Sequence, residues 1–305
     1  MSQKTITQME TRGLYDRIRS SPFLTELFSN RLALIGIAII IIMVVIALYA
    51  RTFLSLQELI QTHLGENPTY HAPNLQYLFG TDRQGRNIFS RVLYGAWLAL
   101  LYGTITVGIS TVLGVGLGVV AAYYNDIVDN TVMRTMDVLL AFPSLLLALA
   151  IVSIFPEELG LWRAVAALTL VYTPRFARVI RGAALTVLEE EFIDASIALG
   201  AIDLRVLIHH ILPNTLAPIT VQGTLNFGLA IIDLAALSFL GFGATAGTPT
   251  WGLMLSNGVE FGLLNGNWWW SFFPGLFLAV TVLGFNLLGD GMRDALDPRM
   301  REVVD

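Results

Sequence analysis

The sequence predicts an all-α integral membrane protein with six transmembrane helices. Its 305 residues are 55% hydrophobic and only 13% charged, whereas a soluble domain averages about 45–50% apolar and about 25% charged residues. The positive mean hydropathy of +0.66 comes from separate long apolar runs. Runs of about 18 or more apolar residues with few charges are typical of membrane spans.

Six apolar windows define the spans. In chain order they are 32–50, 97–122, 136–155, 161–173, 216–240 and 271–289. The first is too long for a signal-peptide core and has no small-residue cleavage site, so we interpret it as a retained first transmembrane helix. The fourth is the weakest, because Pro174 and Arg175 interrupt it well before the roughly 20 residues that a bilayer needs. It could instead start near Leu159 and extend beyond Arg178, with its arginine side chains snorkelling to the interface.

The distribution of positive charge predicts the topology. With six spans and a cytoplasmic N-terminus, 13 of the 18 Lys and Arg residues fall in interior segments and 5 in exterior ones, as the positive-inside rule requires. The predicted order is a cytoplasmic segment 1–31, an external segment 51–95 after the first helix, a five-helix core 96–292 and a cytoplasmic tail 293–305. A long interior loop, 174–215, lies within the core.

Several residues inside the spans are informative. Gly114 and Gly118 form a GxxxG motif, which permits close helix packing or a face that slides during transport. Pro143 is expected to bend the third span, as a static kink or a gate hinge. Asp233 is a charge within the fifth span, so it either lines a translocation path or makes a structural pair. Trp268–Trp270 are placed for an aromatic belt at the start of the last span.

Composition excludes several functions. The chain has no cysteine and four histidines, so disulfides and thiolate chemistry are excluded and no metal site is expected. The net charge of −5 argues against nucleic acid as a partner. No glycine cluster is followed by the lysine of a phosphate-binding loop. We therefore expect neither catalytic residues nor a bound cofactor.

The interior loop contains a distinctive segment. Three glutamates at 189–191 suit the first turn of a helix. Gly200 is placed to cap that helix in a left-handed conformation. Asp203 is then expected to cap a second helix that Pro213 ends. The segment 187–213 is therefore predicted to form a helix-turn-helix exposed to the cytoplasm.

This helix-turn-helix resembles the cytoplasmic loop of ABC importer permeases of bacteria and archaea. That family's pattern is Glu-Ala-Ala, three residues, Gly, nine residues, Ile, one residue and Leu-Pro. The positions that align with it are Asp194, Ala195, Ser196, Gly200, Leu212 and Pro213. Three letters depart from the pattern: Asp194 replaces Glu, Ser196 replaces Ala, and His210 stands where Ile is usual.

Three further stretches narrow the resemblance. The stretches 80–91 (GTDRQGRNIFSR), 137–147 and 289–299 are similar to those of dipeptide, oligopeptide and nickel transporter permeases. An N-terminal span followed by a short external segment resembles the second, C-type permease of that group. The resemblance implies a type I ABC importer permease core with a cytoplasmic coupling helix.

The resemblance also implies a function and partners. The chain would form half of a peptide translocation path in the cytoplasmic (inner) membrane of a prokaryote. It would pair with a second, different permease. Two cytoplasmic ATPase subunits would bind ATP and Mg²⁺ and hydrolyse the ATP, so this chain would not itself be an enzyme. An external solute-binding protein would deliver the substrate.

Site residues follow from the same resemblance. The predicted ATPase-coupling residues are Glu191, Asp194, Ala195, Ser196, Gly200, Leu212 and Pro213. In that role Asp194 orients the docking helix, Gly200 makes the turn and Pro213 fixes the exit into the fifth span. Asp233 and Pro143 are candidates for the translocation path. The candidates for contact with the binding protein are Arg83, Arg86, Trp251 and Glu260.

Other interpretations stay open at this point. Relatives of the same architecture import nickel, glutathione or other small solutes. An ion-driven secondary transporter would need paired ionisable groups near the membrane midplane, of which only Asp233 is present, and often internal repeats. A membrane enzyme would need a catalytic constellation that the sequence does not show. A channel would leave the helix-turn-helix without a role.

Overall fold

The computed structural model describes residues 22–124 and 126–296, and its regular elements there are helices. They are α1 (Pro22–Ser29), α2 (Arg31–Phe53), α3 (Leu56–Ile60), α4 (Ile88–Tyr124), α5 (Asp126–Leu140), α6 (Ser144–Val152), α7 (Leu161–Leu188), α8 (Glu191–Ala198), α9 (Asp203–Arg205, continued by Val206–Ile211 and Leu212–Asn214), α10 (Leu216–Phe239), α11 (Trp251–Asn257) and α12 (Trp269–Leu296). Most of the predicted terminal segments, 1–21 and 297–305, lie outside the described residues.

Four of these helices are long and apolar enough to cross a membrane, namely α2, α4, α10 and α12. The bent pair α5 and α6 adds a fifth if it counts as one span. Helix α7 has 28 residues and is about 42 Å long at 1.5 Å per residue, but several arginines lower its hydropathy. The all-α membrane fold is confirmed, whereas the count of six spans stays a prediction.

The third span is broken rather than continuous. Helices α5 and α6 meet at 94°, and Pro143 precedes the first residue of α6 with φ −56° and ψ 131°. Proline has no N–H to donate and disfavours a helical conformation in the residue before it. The bend predicted at Pro143 is therefore confirmed, and the window 136–155 holds the end of α5 and the whole of α6.

The fourth span continues through its proline. Helix α7 runs on past Pro174 to Leu188, so the longer form of the fourth span is the one observed, and the interior loop is shorter than 174–215. The proline is buried in the helix interior, where neighbouring helices compensate for the missing hydrogen bond, as they commonly do in membrane proteins. The loop between the fourth and fifth spans therefore begins only after α7 ends.

Helices α4 and α7 form the centre of the core. Gly114 lies against Phe176, and a Cβ added at Gly114 would be 2.4 Å from the Phe176 Cβ. A Cβ added at Gly118 would be 2.5 Å from the Ala177 carbonyl oxygen. Ser110 also donates a hydrogen bond to the Thr169 carbonyl at 3.2 Å. In this structure the GxxxG motif packs two helices closely, as small residues do in membrane bundles.

The tryptophans at the start of α12 do not form a simple belt. Trp269 and Trp270 are only 8% and 2% exposed and pack in one apolar cluster with Ile88. Trp268 is 51% exposed and is the one of the three that faces outward. The belt prediction is wrong for two residues, because the chain between α10 and α12 folds back and covers them.

Candidate functional site

The first arm and turn of the predicted helix-turn-helix form as expected. Helix α8 ends in a turn where Gly200 has φ +85°. The N–H of Gly200 donates to the Ile197 carbonyl at 2.9 Å, and the N–H of Ala201 donates to the Ser196 carbonyl at 3.1 Å. These two bonds define a Schellman motif, whose left-handed residue favours glycine. The cap predicted at Gly200 is confirmed. We call residues 189–214 the hairpin.

The second arm begins differently from the prediction. Ile202 precedes its first helical residue and Asp203 makes no capping hydrogen bond. The Asp203 carboxylate instead accepts hydrogen bonds from the hydroxyl groups of Tyr123 at 2.9 Å and Tyr124 at 3.3 Å. The capping role predicted for Asp203 is wrong, because two phenols at the end of α4 lie within its reach. The carboxylate thereby ties the second arm to α4.

Pro213 shapes the second arm without ending it. The helix continues one residue further, to Asn214, so the predicted stop at Pro213 is wrong by one residue. The preceding segment Val206–Ile211 has π-helical geometry. Proline cannot donate a hydrogen bond to the preceding turn, and a single π-helical turn is a common way to accommodate such a defect. Leu212 is half-buried beside it.

The two arms are linked by residues that depart from the family pattern. The Ser196 hydroxyl and the His210 Nε2 are 3.1 Å apart. A pattern with Ala and Ile at these positions would place two apolar side chains here. Both substitutions are present together and form a polar contact in place of an apolar one. The sequence pattern identified each departure separately but did not show that they touch.

The hairpin is anchored to the transmembrane helices by apolar contacts. Ile193 in α8 is 1% exposed, and Val206 and Ile211 in α9 are fully buried. They form one cluster with Val119 of α4 and Ile180 of α7. Burying apolar side chains stabilises such packing by about 25 cal/mol per Å². The hairpin is therefore packed against both helices.

The outer surface of the hairpin is unusually apolar. The side chains exposed there are Leu199 at 90%, Ile202 at 68%, Ile197 at 47% and Phe192 at 43%. Glu191, Asp194 and Ala195 are exposed beside them. Clustered exposed apolar residues with a polar rim are typical of an interaction surface. The predicted coupling residues of α8 thus lie at the edge of an apolar patch.

The buried charge of the fifth span has a partner. The Tyr172 hydroxyl, on α7, donates a hydrogen bond to the Asp233 carboxylate at 2.8 Å. Tyr172 is fully buried, whereas Asp233 is half-buried. The guanidinium of Arg175 lies 4.9 Å from the centre of the Tyr172 ring. The structural-pair interpretation of Asp233 therefore has a defined contact, and its other side remains accessible.

The external residues divide into buried and exposed pairs. Arg86 is 5% exposed, and its Nε donates to the Asp82 carboxylate at 2.6 Å. Trp251 is 2% exposed, and its indole N–H donates to a main-chain carbonyl of α4. Neither presents a surface to a partner, so their predicted contact with the binding protein is not retained. Arg83 lies 3.9 Å from the Phe261 ring, next to exposed Glu260.

Comparison with known proteins places the chain in a family. A model of the family described as "Binding-protein-dependent transport system inner membrane component" matches residues 114–302. The chain is 44% identical over 278 residues to a dipeptide transport system permease protein of Alkalihalophilus pseudofirmus, covering 90% of this chain and 88% of the relative. It is 42% identical over 276 residues to the dipeptide transport system permease protein of Escherichia coli K12, covering 90% and 91%.

Two further comparisons agree with these. A di/tripeptide transport system permease protein of Pseudomonas aeruginosa is 43% identical over 229 residues, covering 75% of this chain and 74% of the relative. An inward-facing structure of the MetNI methionine ABC transporter matches with a TM-score of 0.56 at 20% identity, covering 69% of this chain and 98% of that one. This structural likeness shows the fold alone.

The family model covers more than half of the chain, and the two relatives first named cover nine-tenths of it. The helical architecture and the hairpin are those that the resemblance implied. The chain belongs to the family of binding-protein-dependent transport system inner membrane components, as a multi-pass permease subunit of an ABC importer.

Proposed function

We propose that this chain is the second, C-type permease of an ATP-driven importer of dipeptides and other short peptides. It forms half of the translocation path with a different permease subunit. Two cytoplasmic ATPase subunits bind ATP and Mg²⁺ and perform the hydrolysis, and an external binding protein delivers the peptide. The names of the relatives, which transport dipeptides and di/tripeptides, support peptides over nickel or glutathione.

The same proposal gives the described regions their places in the membrane. The core 96–292 crosses a prokaryotic cytoplasmic membrane with both termini in the cytoplasm, and the external segment 51–95 faces the binding protein. The excess of positive charge in the predicted interior segments supports this orientation. Arg83 and Glu260 are proposed to contact the binding protein, because both lie on the external segments near Phe261.

The observation that carries the proposal is the apolar patch on an anchored hairpin. Leu199 is 90% exposed, and large apolar side chains exposed in a cluster require a partner surface. We assign that partner as an ATPase subunit, with Glu191 and Asp194 at the rim and Ala195 and Ser196 permitting close approach. Because Ile193 is buried on the other side of the same helix, docking and anchoring use opposite faces.

The anchoring explains how the ATPases would move the path. Rigid-body motion of a docked element is a common way to switch between conformations. When the ATPases close, the hairpin moves, and its contacts with α4 and α7 displace both helices together. Leu212 and Pro213 continue this connection into α10, which carries Asp233. Asp233 and the break at Pro143 are proposed to line the path that opens and closes.

The turn of the hairpin provides a test of coupling. We expect Gly200→Val to lower the ATP hydrolysis stimulated by loaded binding protein about tenfold, because a non-glycine residue in the left-handed region costs about 1–2 kcal/mol. A Cβ at Gly200 meets no atom within 4 Å, so this strain acts on the turn alone. Hydrolysis is measured in proteoliposomes that contain the complete importer.

Gly65 offers a matched control for that variant. It has φ +86°, and a Cβ there also meets no atom within 4 Å, but it lies in the external segment. Gly65→Val therefore introduces the same backbone strain far from the hairpin and should retain stimulation within about twofold. If Gly200→Val hydrolyses ATP as well as Gly65→Val at equal expression, the coupling role is wrong.

Uptake by the reconstituted importer tests the proposed function itself. Proteoliposomes contain this chain, its partner permease and the ATPases, with binding protein outside and ATP inside. We expect accumulation of radiolabelled Ala-Ala that requires both ATP and binding protein, with no accumulation of Ni²⁺ or glutathione above background. Uptake driven by an ion gradient without ATP would instead support a secondary transporter and overturn the proposal.

A further inference from the structure

Four polar side chains follow one another along α7 at intervals of three residues. They are Tyr172, Arg175, Arg178 and Arg181, and residues three apart are neighbours on a helix surface. The two closest to the hairpin are neutralised by α5, since Arg178 pairs with Asp137 and Arg181 pairs with Asp129. The remaining two, Tyr172 and Arg175, belong to a different cluster with Asp233.

Arg175 makes no direct ion pair with the described part of the chain. Its guanidinium lies over the Tyr172 ring, and no carboxylate of the described part of the chain is within ion-pair distance, 4.0 Å, of it. The residue is half-buried. A guanidinium has five N–H donors in a planar fork that matches a carboxylate. Arg175 is therefore equipped to bind a carboxylate that the chain does not supply.

Asp233 carries the opposite charge and can likewise accept further hydrogen bonds. Its carboxylate accepts one side-chain hydrogen bond, from the Tyr172 hydroxyl, whereas an ionised carboxylate has about four lone-pair sites. Charges within a membrane span are costly unless they face water or a partner. Tyr172 is fully buried, and its side chain contacts both charged groups.

The contacts limit how far apart the two charges lie. The guanidinium is 4.9 Å from the ring centre, and the hydroxyl is 2.8 Å from the carboxylate. With the length of the phenol itself, the two groups are at most about 11 Å apart. An extended chain spans about 3.3–3.6 Å per residue, so the two ends of a dipeptide, about 7 Å apart, can contact both groups when the peptide lies alongside the Tyr172 ring.

We propose that Asp233 and Arg175 form a two-point site for short peptides, with Tyr172 as the positioning residue. Asp233 binds the α-ammonium group of the peptide and Arg175 binds its terminal carboxylate. This inference rests on the proposed function as a peptide importer. Both contacts use groups that every free peptide has, so the site selects for chain length and free termini while tolerating different side chains.

Protection of a nearby cysteine tests this site directly. The chain has no cysteine, and Leu229 lies one turn from Asp233 on α10 with 43% exposure. In the purified importer without ATP, labelling of Leu229→Cys by a maleimide is measured on this subunit. We expect Ala-Ala to slow labelling about threefold or more, and N-acetyl-Ala-Ala-amide, which lacks both charges, to have no effect.

Second-site variants make the test specific. Adding Asp233→Asn or Arg175→Gln to Leu229→Cys should weaken protection by Ala-Ala about tenfold in peptide concentration, because each removes a charge-assisted hydrogen bond. Adding Asp137→Asn, which alters a carboxylate outside the cluster, should leave protection unchanged. The proposed site is wrong if Ala-Ala still protects the cysteine in both Asp233→Asn and Arg175→Gln. It is also wrong if N-acetyl-Ala-Ala-amide protects as well as Ala-Ala does.

The failure of this site is distinguishable from failure of the proposed function. Uptake of Ala-Ala by the unaltered importer is measured in parallel. Uptake without protection of Leu229→Cys means that the chain imports peptides but does not bind them at Asp233 and Arg175. If neither uptake nor protection is observed, the assignment of peptides as substrates is wrong, and so is the two-point site.

Discussion

Replacing Gly114 with leucine is expected to separate α7 from α4 and to destabilise the folded chain by about 3 kcal/mol or more. Overpacking a well-filled core typically costs about 1–3 kcal/mol. Here the first added carbon would lie 2.4 Å from the Phe176 Cβ and 2.7 Å from the Thr173 carbonyl oxygen. Neither atom can rotate away, since each is fixed by the backbone, so the whole helix must move.

The measurement is the temperature at which the purified importer loses its single peak in size-exclusion chromatography. Gly108→Leu is the matched control, because it lies on the same helix and a Cβ there meets no atom within 4 Å. Gly114→Leu should lower the midpoint by several degrees or prevent assembly, while Gly108→Leu stays close to the parent. Equal stability of the two variants would refute tight packing between α4 and α7.

Removing the carboxylate of Asp82 is expected to cost about 3–5 kcal/mol of the stability of the external segment, because it leaves a buried guanidinium unpaired. Asp82 is 1% exposed and Arg86 is 5% exposed. The same carboxylate accepts main-chain hydrogen bonds from Gln84 at 2.8 Å and Arg86 at 3.0 Å. Asp82→Ala therefore removes an ion pair and a turn together.

Hydrogen exchange over residues 63–87 reports this effect. We expect faster exchange there in Asp82→Ala and unchanged exchange in the hairpin. The double variant Asp82→Ala/Arg86→Leu removes both charges and should recover part of the protection, since a buried ion pair often contributes little more than its apolar replacement. Protection in the single variant as strong as in the parent would contradict a structural role for the pair.

Local signals in the sequence predicted the parts of the fold that depend on one residue's backbone. The chain turns at both Gly200 and Pro143, as predicted. Glycine tolerates a left-handed conformation, and proline breaks a helix unless neighbouring groups compensate. Pro174 shows the limit of the same rule. It lies within a buried helix that α4 packs against, and only tertiary contacts decide that the helix continues.

Side-chain partners were much less predictable. The sequence predicted Asp203 as a helix cap, whereas its carboxylate accepts hydrogen bonds from Tyr123 and Tyr124. Arg86 and Trp251 were predicted to contact the binding protein. Arg86 instead forms an ion pair with Asp82, four residues earlier, and Trp251 is buried in an apolar cluster between helices. These contacts depend on how separate helices dock, which a local pattern does not contain.

Arg175 was not singled out as a site residue, although a signal for it was present. Polar residues at 172, 175, 178 and 181 repeat every three residues, so each would be the neighbour of the next on a helix surface. Pro174 made the fourth window the weakest of the six, and its extension beyond Arg178 was only one of two alternatives. The observed helix through Pro174 places Arg175 within the span as a half-buried charge.

Site-specific photo-cross-linking from Leu199 tests most directly whether the hairpin docks on an ATPase. A benzoylphenylalanine is incorporated at Leu199, which is 90% exposed, and separately at Leu75, which is 98% exposed in the external segment. In membranes containing the whole importer, we predict an adduct with the ATPase subunit from position 199 and none from position 75. No ATPase adduct from position 199, or one from position 75, would contradict the proposed coupling role.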